Sequence, residues 1–137
     1  MNEIIISDSR NYNFSEILEI YNNAGWTAYT NQPSVLEKAL ENTPYILTAR
    51  HNGIMAGLLR AVGDGLTIMY IQDIIVHETY RRKGIATQLM NTLLKQYSHV
   101  RQIILLTDDK QETSAFYESI GLRRTSELGL CSYMKVK

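Results

Sequence analysis

The apolar positions of this chain switch between two periods. Residues 3–7, EIIIS, form a short β-branched run that predicts a first strand. In NFSEILEIYNNAG, Ile17, Ile20, Tyr21 and Ala24 recur at helical spacing, Asn13 and Glu16 stand in capping-box positions, and Gly25 closes the segment. PSVLEKALENTP repeats the pattern, with Ser34 and Glu37 as the box, Val35, Leu36, Ala39 and Leu40 as the apolar face, and Pro44 as the stop. Between them lies GWTAYTNQ, residues 25–32, which reads as a loop carrying Trp26 and Tyr29.

Three strands follow. YILTARHNGIMAGLLRAVGDG divides at Asn52-Gly53, a strong hairpin signal, and Gly63-Asp64-Gly65 marks a second turn. LTIMYIQDIIVH, residues 66–77, is an almost unbroken apolar run, as expected of a strand covered on both faces. Beyond it Ala86, Leu89, Met90, Leu93, Leu94 and Tyr97 trace one helix face, and QIILLT, residues 102–107, reads as another buried strand. DKQETSAFYESIGL predicts a last helix, with Asp109 as cap, Glu112 in the box position and Gly121 as stop. Residues 122–137 alternate weakly and predict one or two closing strands around Gly129. Strands 66–77 and 102–107, joined through a helix, should lie parallel with a right-handed crossover, and the earlier hairpins should be antiparallel. The prediction is an α/β fold in one domain, 1–137: a mixed, mainly antiparallel central sheet with a parallel strand pair and helices on both faces.

Composition narrows the function. The formal net charge is zero, so no global field draws in nucleic acid or an anionic membrane, and any basic site must be local. Cys131 is the only cysteine, which excludes an internal disulfide and a multi-cysteine metal site; it reads as a buried or edge filler. His51, His77 and His99 fall on different elements, so no metal site is expected, and His77 stays open as a proton shuttle. The chain opens without a basic leader, and no run approaches the roughly 18 apolar residues of a membrane span, so a cytoplasmic protein is expected.

The local basic site is HETYRRKGIAT, residues 77–87. Arg81, Arg82 and Lys83 precede Gly84 and a helix start, where the helix already carries partial positive charge and unpaired N–H groups. A strand entering a glycine turn and then a helix aims backbone N–H groups at one small volume suited to phosphate oxygens. Neither a G-x-x-x-x-G-K-[ST] loop nor a G-x-G-x-x-G fingerprint is present, which argues against a nucleoside triphosphate and a dinucleotide. The alternative is a solvated charged corner with a glycine that merely eases the turn.

DIIVHETYRRKGIATQLM resembles the acyl-CoA signature of the GNAT N-acetyltransferase superfamily, [RQ]-x-x-G-x-[GA], through Arg81, Gly84 and Ala86. SAFYESIGL is similar to that family's A-x-x-FY-E-x-x-GF stretch, with Leu122 in place of the usual Phe. The two motifs stand in the family's order, and the likeness covers roughly residues 45–125. It implies an acyl-CoA N-acyltransferase fold in which the two parallel strands splay apart. It also implies acetyl-CoA as cosubstrate, with the pyrophosphate held by N–H groups from Arg82 through Lys83, Gly84, Ile85, Ala86 and Thr87. The pantetheine arm would pair with backbone groups of Ile74 and Val76, and an N–H near Ile75 or Val76 would donate to the thioester oxygen. Tyr117 matches the tyrosine that protonates the departing thiolate. Two departures stand out: Lys110 where many members carry Asn, and no second glycine before Gly84.

Asp73, mid-strand in an apolar run, would be costly to bury unpaired. It either acts as the base for the incoming amine or pairs with a structural cation such as Arg60. The acceptor, a small primary amine or a peptide amino group, is expected beside the first two helices, with Trp26 and Tyr29 as substrate-binding candidates and Tyr12 and Tyr21 nearby. The order of LLRAVGDG before IQDIIV is also similar to that of arylalkylamine acetylases of the superfamily. The resemblance further implies homodimerisation as a common state. A non-catalytic acyl-CoA-binding domain of the same fold is the competing expectation.

Overall fold

The computed structural model describes residues 3–137 and divides into two compact units, Met1–Leu106 and Thr107–Lys137. The first unit carries β1 (Ile4–Ser7), α1 (Phe14–Asn23), α2 (Thr27–Thr30), α3 (Pro33–Glu41), β2 (Tyr45–His51), β3 (Ile54–Gly63), β4 (Ile68–Val76), α4 (Ile85–Gln96) and β5 (Gln102–Leu105). Its sheet runs β1-β2-β3-β4-β5. The first three pairings are antiparallel and the β4–β5 pairing is parallel, so the expected mixed α/β sheet with one parallel pair is present.

Local sequence explains most boundaries. At α1 the Glu16 carboxylate accepts from the Asn13 N–H, the reciprocal half of the expected capping box. α3 differs: it starts at Pro33 with Gln32 as its cap, not at Ser34. Proline presets the φ of a first helical position and lacks the N–H that would be left unbonded there. The stretch read as a loop at 25–32 contains the short α2, so Tyr29 is held on a helical turn.

The sheet is covered on both faces. Ile17, Ile20 and Tyr21 of α1 and Leu36 and Leu40 of α3 pack with Ile46, Met55, Leu58 and Ile75 in one core cluster. Gly57, next to Leu58, faces the other way. A Cβ built on it would lie 3.2 Å from Ile85 and 3.4 Å from Leu89, both on α4. Burial of Leu89, Met90 and Leu93 completes that second layer. Each such side chain stabilises the fold by about 1.5–3 kcal/mol relative to exposure.

The second unit holds α5 (Gln111–Ser119) and a 3-10 turn, Thr125–Leu128. Lys110, not Asp109, occupies the cap of α5, and Asp109 instead pairs with Arg124. No closing strand forms within 122–137. A strand needs a neighbour for its backbone groups, and this segment has none among the described residues. Cys131 is exposed, against the expectation of a buried or edge filler.

Candidate active site

The site is built where β4 outruns its parallel neighbour. The last β4–β5 pair is Ile71 with Leu105, while β4 continues to Val76. On its other side β4 stays paired with β3 as far as Val76 opposite Gly57. The His77 N–H donates to the Ala56 carbonyl at 2.9 Å. Antiparallel bonding alternates residue by residue, so Ile75 also points its N–H and C=O at β3, whereas those of Ile74 and Val76 point to the open side. The two residues expected to pair with a pantetheine arm are therefore the two whose backbone groups face away from β3. Of the two N–H donors considered for a thioester oxygen, the open side holds that of Val76 and not that of Ile75.

A bulge in β4 decides where Asp73 goes. Arg60 opposes Asp73 and Ala61 opposes Ile71, leaving Gln72 as the extra residue. A bulge of one residue switches the face taken by everything beyond it. Asp73 thereby joins Arg60 on the α1–α3 face. Its side chain is 3% exposed. Oδ2 accepts from Arg60 Nε at 2.8 Å and from the Tyr21 hydroxyl at 2.8 Å, and Oδ1 accepts from the Tyr29 hydroxyl at 3.1 Å. Of the two alternatives for Asp73, pairing with Arg60 is the one the geometry displays.

The network continues outward. Arg60 Nη1 donates to the Thr43 hydroxyl at 3.1 Å, and Arg60 Nη2 and Gln72 Nε2 both donate to the Tyr29 oxygen. The rings of Tyr21, Trp26 and Tyr29 cluster, with centroids 5.0 to 6.2 Å apart. Burial, and then the Asp73 charge, push the Tyr21 hydroxyl above the ordinary tyrosine range, so it stays a donor. Burial opposes charge on Arg60, but the Asp73 hydrogen bond and charge outweigh it and hold the guanidinium above its usual value. Trp26 and Tyr29 are thus brought together, half-buried, with Tyr29 tied to the sheet by its hydroxyl. Sequence reasoning missed Gln72 and Thr43 altogether, and it set Tyr21 near the acceptor, with core packing as the alternative, without seeing its bond to Asp73. A bulge leaves no periodic signal in a run already apolar at nearly every position.

The basic turn differs in detail from a row of three rim cations. Arg81 bends back, its Nε donating to the Val76 carbonyl at 3.2 Å, while Lys83 lies 5.9 Å above the Tyr80 ring. The His77 Nδ1 accepts from the Thr79 N–H and caps the 3-10 turn Glu78–Tyr80, so that nitrogen holds the turn. Arg82 and Gly84 both adopt left-handed backbone, with φ of 64° and 77°. For Arg82 that conformation costs about 1–3 kcal/mol and persists only where surroundings impose it. No protein atom lies within 4 Å of a Cβ built on Gly84, so backbone conformation, not crowding by the protein, demands glycine there. The first bond of α4 runs from the Gln88 N–H to the Gly84 carbonyl. The N–H groups of Ile85, Ala86 and Thr87 consequently have no acceptor within the helix. No acidic side chain occupies the first turn. Two left-handed residues thus stand just ahead of three N–H groups aimed at one small volume, an arrangement suited to an anion.

In the second unit Tyr117 lies on α5, half-buried, with its ring 4.9 Å from that of Phe116. Burial, then the Asp108 charge, raise its hydroxyl above the usual tyrosine value, against a hydrogen bond with Thr107 that lowers it. Among the described residues no group of three or more His, Cys, Asp or Glu is placed to hold a metal ion, and no helix is long and apolar enough to cross a membrane.

The model of the Acetyltransferase (GNAT) family matches residues 11–122, and the chain belongs to that family. The GNAT family protein SP0256 of Streptococcus pneumoniae superposes with a TM-score of 0.87 at 28% identity over 98% of each chain. AAC(6')-Iy, solved with the bisubstrate analogue CoA-S-monomethyl-acetylneamine, shares the fold, with a TM-score of 0.73 at 15% identity over 98% of this chain and 99% of that one. The protein FG08082 of Gibberella zeae is 31% identical over 70 residues, which are 49% of this chain and 38% of that relative. The match thus spans well under half of that curated relative.

Proposed function

We propose that the protein transfers an acetyl group from acetyl-CoA to a primary amine by direct attack, within one domain spanning 1–137. The observation that carries this reading is the pairing of the left-handed Arg82–Gly84 turn with the open β4 edge at Ile74 and Val76. The donor set fits the cosubstrate: free N–H groups suit a diphosphate, and an unpaired strand edge suits an amide-bearing arm. The thioester supplies an activated acyl carbon when bound.

In this reading the N–H groups of Ile85, Ala86 and Thr87 hold the diphosphate, with Arg82 and Lys83 adding charge. Ile74 and Val76 align the arm, and the Val76 N–H faces the oxygen that gains negative charge on attack. Tyr117 gives its proton to the departing sulfur as the carbon–sulfur bond breaks; its hydroxyl, raised above the ordinary tyrosine range first by burial, is protonated at neutral pH and so available to donate. Trp26 and Tyr29 form the apolar wall against which the acceptor lies. Asp73 acts as a positioning residue that fixes Tyr29, because its three donors already engage both carboxylate oxygens.

A thiol-release assay over a panel of amines, run beside calorimetry with acetyl-CoA, tests the proposal. Binding and amine-dependent thiol release are expected. Binding without release for any amine would leave a non-catalytic acyl-CoA-binding domain, and no binding would remove the reading altogether.

A further inference from the structure

Gln72 is the extra residue of the β4 bulge, and it stands where the sheet opens. The last β4–β5 pair is Ile71 with Leu105, and Gln72 comes next along the strand. Two residues further lies Ile74, whose backbone groups face away from β3. The Gln72 side chain is exposed, yet it is braced: Nε2 donates to the Tyr29 hydroxyl at 3.3 Å. An exposed amide adds little to the core, so its bracing at the root of the opening calls for another account.

The buried network fixes which way that amide turns. A carboxylate can only accept, so the single proton of the Tyr29 hydroxyl goes to Asp73 Oδ1, 3.1 Å away. Arg60 Nη2 donates to the same hydroxyl oxygen at 3.1 Å. What Tyr29 has left for Gln72 is a lone pair, and only the NH2 end of the amide can use it. Oε1 is therefore turned away from Tyr29, and it has no hydrogen-bond partner among the described residues. The order of control runs outward: Arg60 and Asp73 set Tyr29, and Tyr29 sets Gln72.

We propose that Gln72 Oε1 accepts an N–H of the acceptor amine and thereby orients the nitrogen lone pair toward the acyl carbon. A neutral primary amine has one substituent, two N–H groups and one lone pair. With the substituent against Trp26 and Tyr29 and one N–H on Oε1, the directions open to the lone pair are few, which is the geometric condition for attack. The neutral amide suits this task. A carboxylate in its place would favour the ammonium form, which has no lone pair to attack with. The amide oxygen holds an N–H without bringing that charge.

This inference rests on the reading of the protein as an amine acetyltransferase, and steady-state kinetics with benzylamine, butylamine and glycylglycine test the two separately. Gln72→Met keeps the length of the side chain and removes Oε1. It is expected to lower kcat/KM for the amine about three- to tenfold, the effect of one lost hydrogen bond, with acetyl-CoA affinity and Tm unchanged. In a Tyr29→Phe background the same change is expected to lower kcat/KM again, because Oε1 meets the substrate itself. An unchanged kcat/KM in Gln72→Met would overturn the assignment and leave the transferase reading standing. So would a loss that vanishes in the Tyr29→Phe background, which would mean that Gln72 only braces Tyr29. A wild-type protein that releases thiol with none of the three amines would remove the transferase reading for them, and this inference with it.

Discussion

Replacing Asp73 by Asn is the sharpest probe of the site, because it removes one charge from the middle of a buried network and changes almost no volume. The Arg60 side chain is 9% exposed and that of Asp73 is 3%, so the guanidinium left behind has no water to replace its partner. Breaking one side of a buried pair costs about 3–5 kcal/mol, and this carboxylate also accepts from Tyr21 and Tyr29. An amide retains an acceptor oxygen, which places the expected loss near the lower end, about 3 kcal/mol. At this chain length a loss of that size lowers Tm by about 10 °C. The assay is urea denaturation of Asp73→Asn, Arg60→Met and the double variant Asp73→Asn/Arg60→Met. Each single change should be costly. The double should cost less than the sum by about 2 kcal/mol or more, since it leaves no unpaired charge. Additive losses, or single losses below about 1 kcal/mol as at an exposed pair, would refute the claim that the pair is buried and coupled. The same variants separate positioning from base chemistry. A positioning Asp73 makes Asp73→Asn raise KM for the amine with the pH profile unchanged in shape, whereas a base would lose its acid limb.

The other expectations concern the turn, the acid and one surface pair. Gly84→Ala should weaken acetyl-CoA binding about tenfold or more in calorimetry, because alanine resists the left-handed φ by about 1–2 kcal/mol; unchanged affinity would mean the turn does not hold the anion. Tyr117→Phe should lower kcat while leaving acetyl-CoA affinity intact. With its hydroxyl raised by burial, the wild-type rate should rise with pH as the amine deprotonates and show no falling limb before the ordinary tyrosine range. Glu16 is held below its usual value first by its hydrogen bond from Arg50, so its contribution is present above the unfolded carboxylate pKa and is lost as pH falls through the lower folded value. Glu16→Gln should therefore destabilise the protein by about 1 kcal/mol near pH 7 and by much less near pH 3, as read from denaturation midpoints.

The chain by itself determined the alternation of strands and helices, the parallel pair, and the position of the glycine turn ahead of α4. These follow from local causes: apolar period, the Asn13–Glu16 box, Asn52-Gly53, and a glycine just ahead of a helix. Local causes also misled at Ser34, where the neighbouring proline set the helix start, and at 122–137, where a strand-like pattern had no neighbour to pair with. Tertiary structure alone decided which way Asp73 faces. One extra residue at Gln72 turns it onto the side of Arg60, Tyr21 and Tyr29, and only the register with β3 reveals that residue as extra. The left-handed backbone of Arg82 belongs to the same class. Nothing in the side chain favours that conformation, and no periodicity of the sequence announces it.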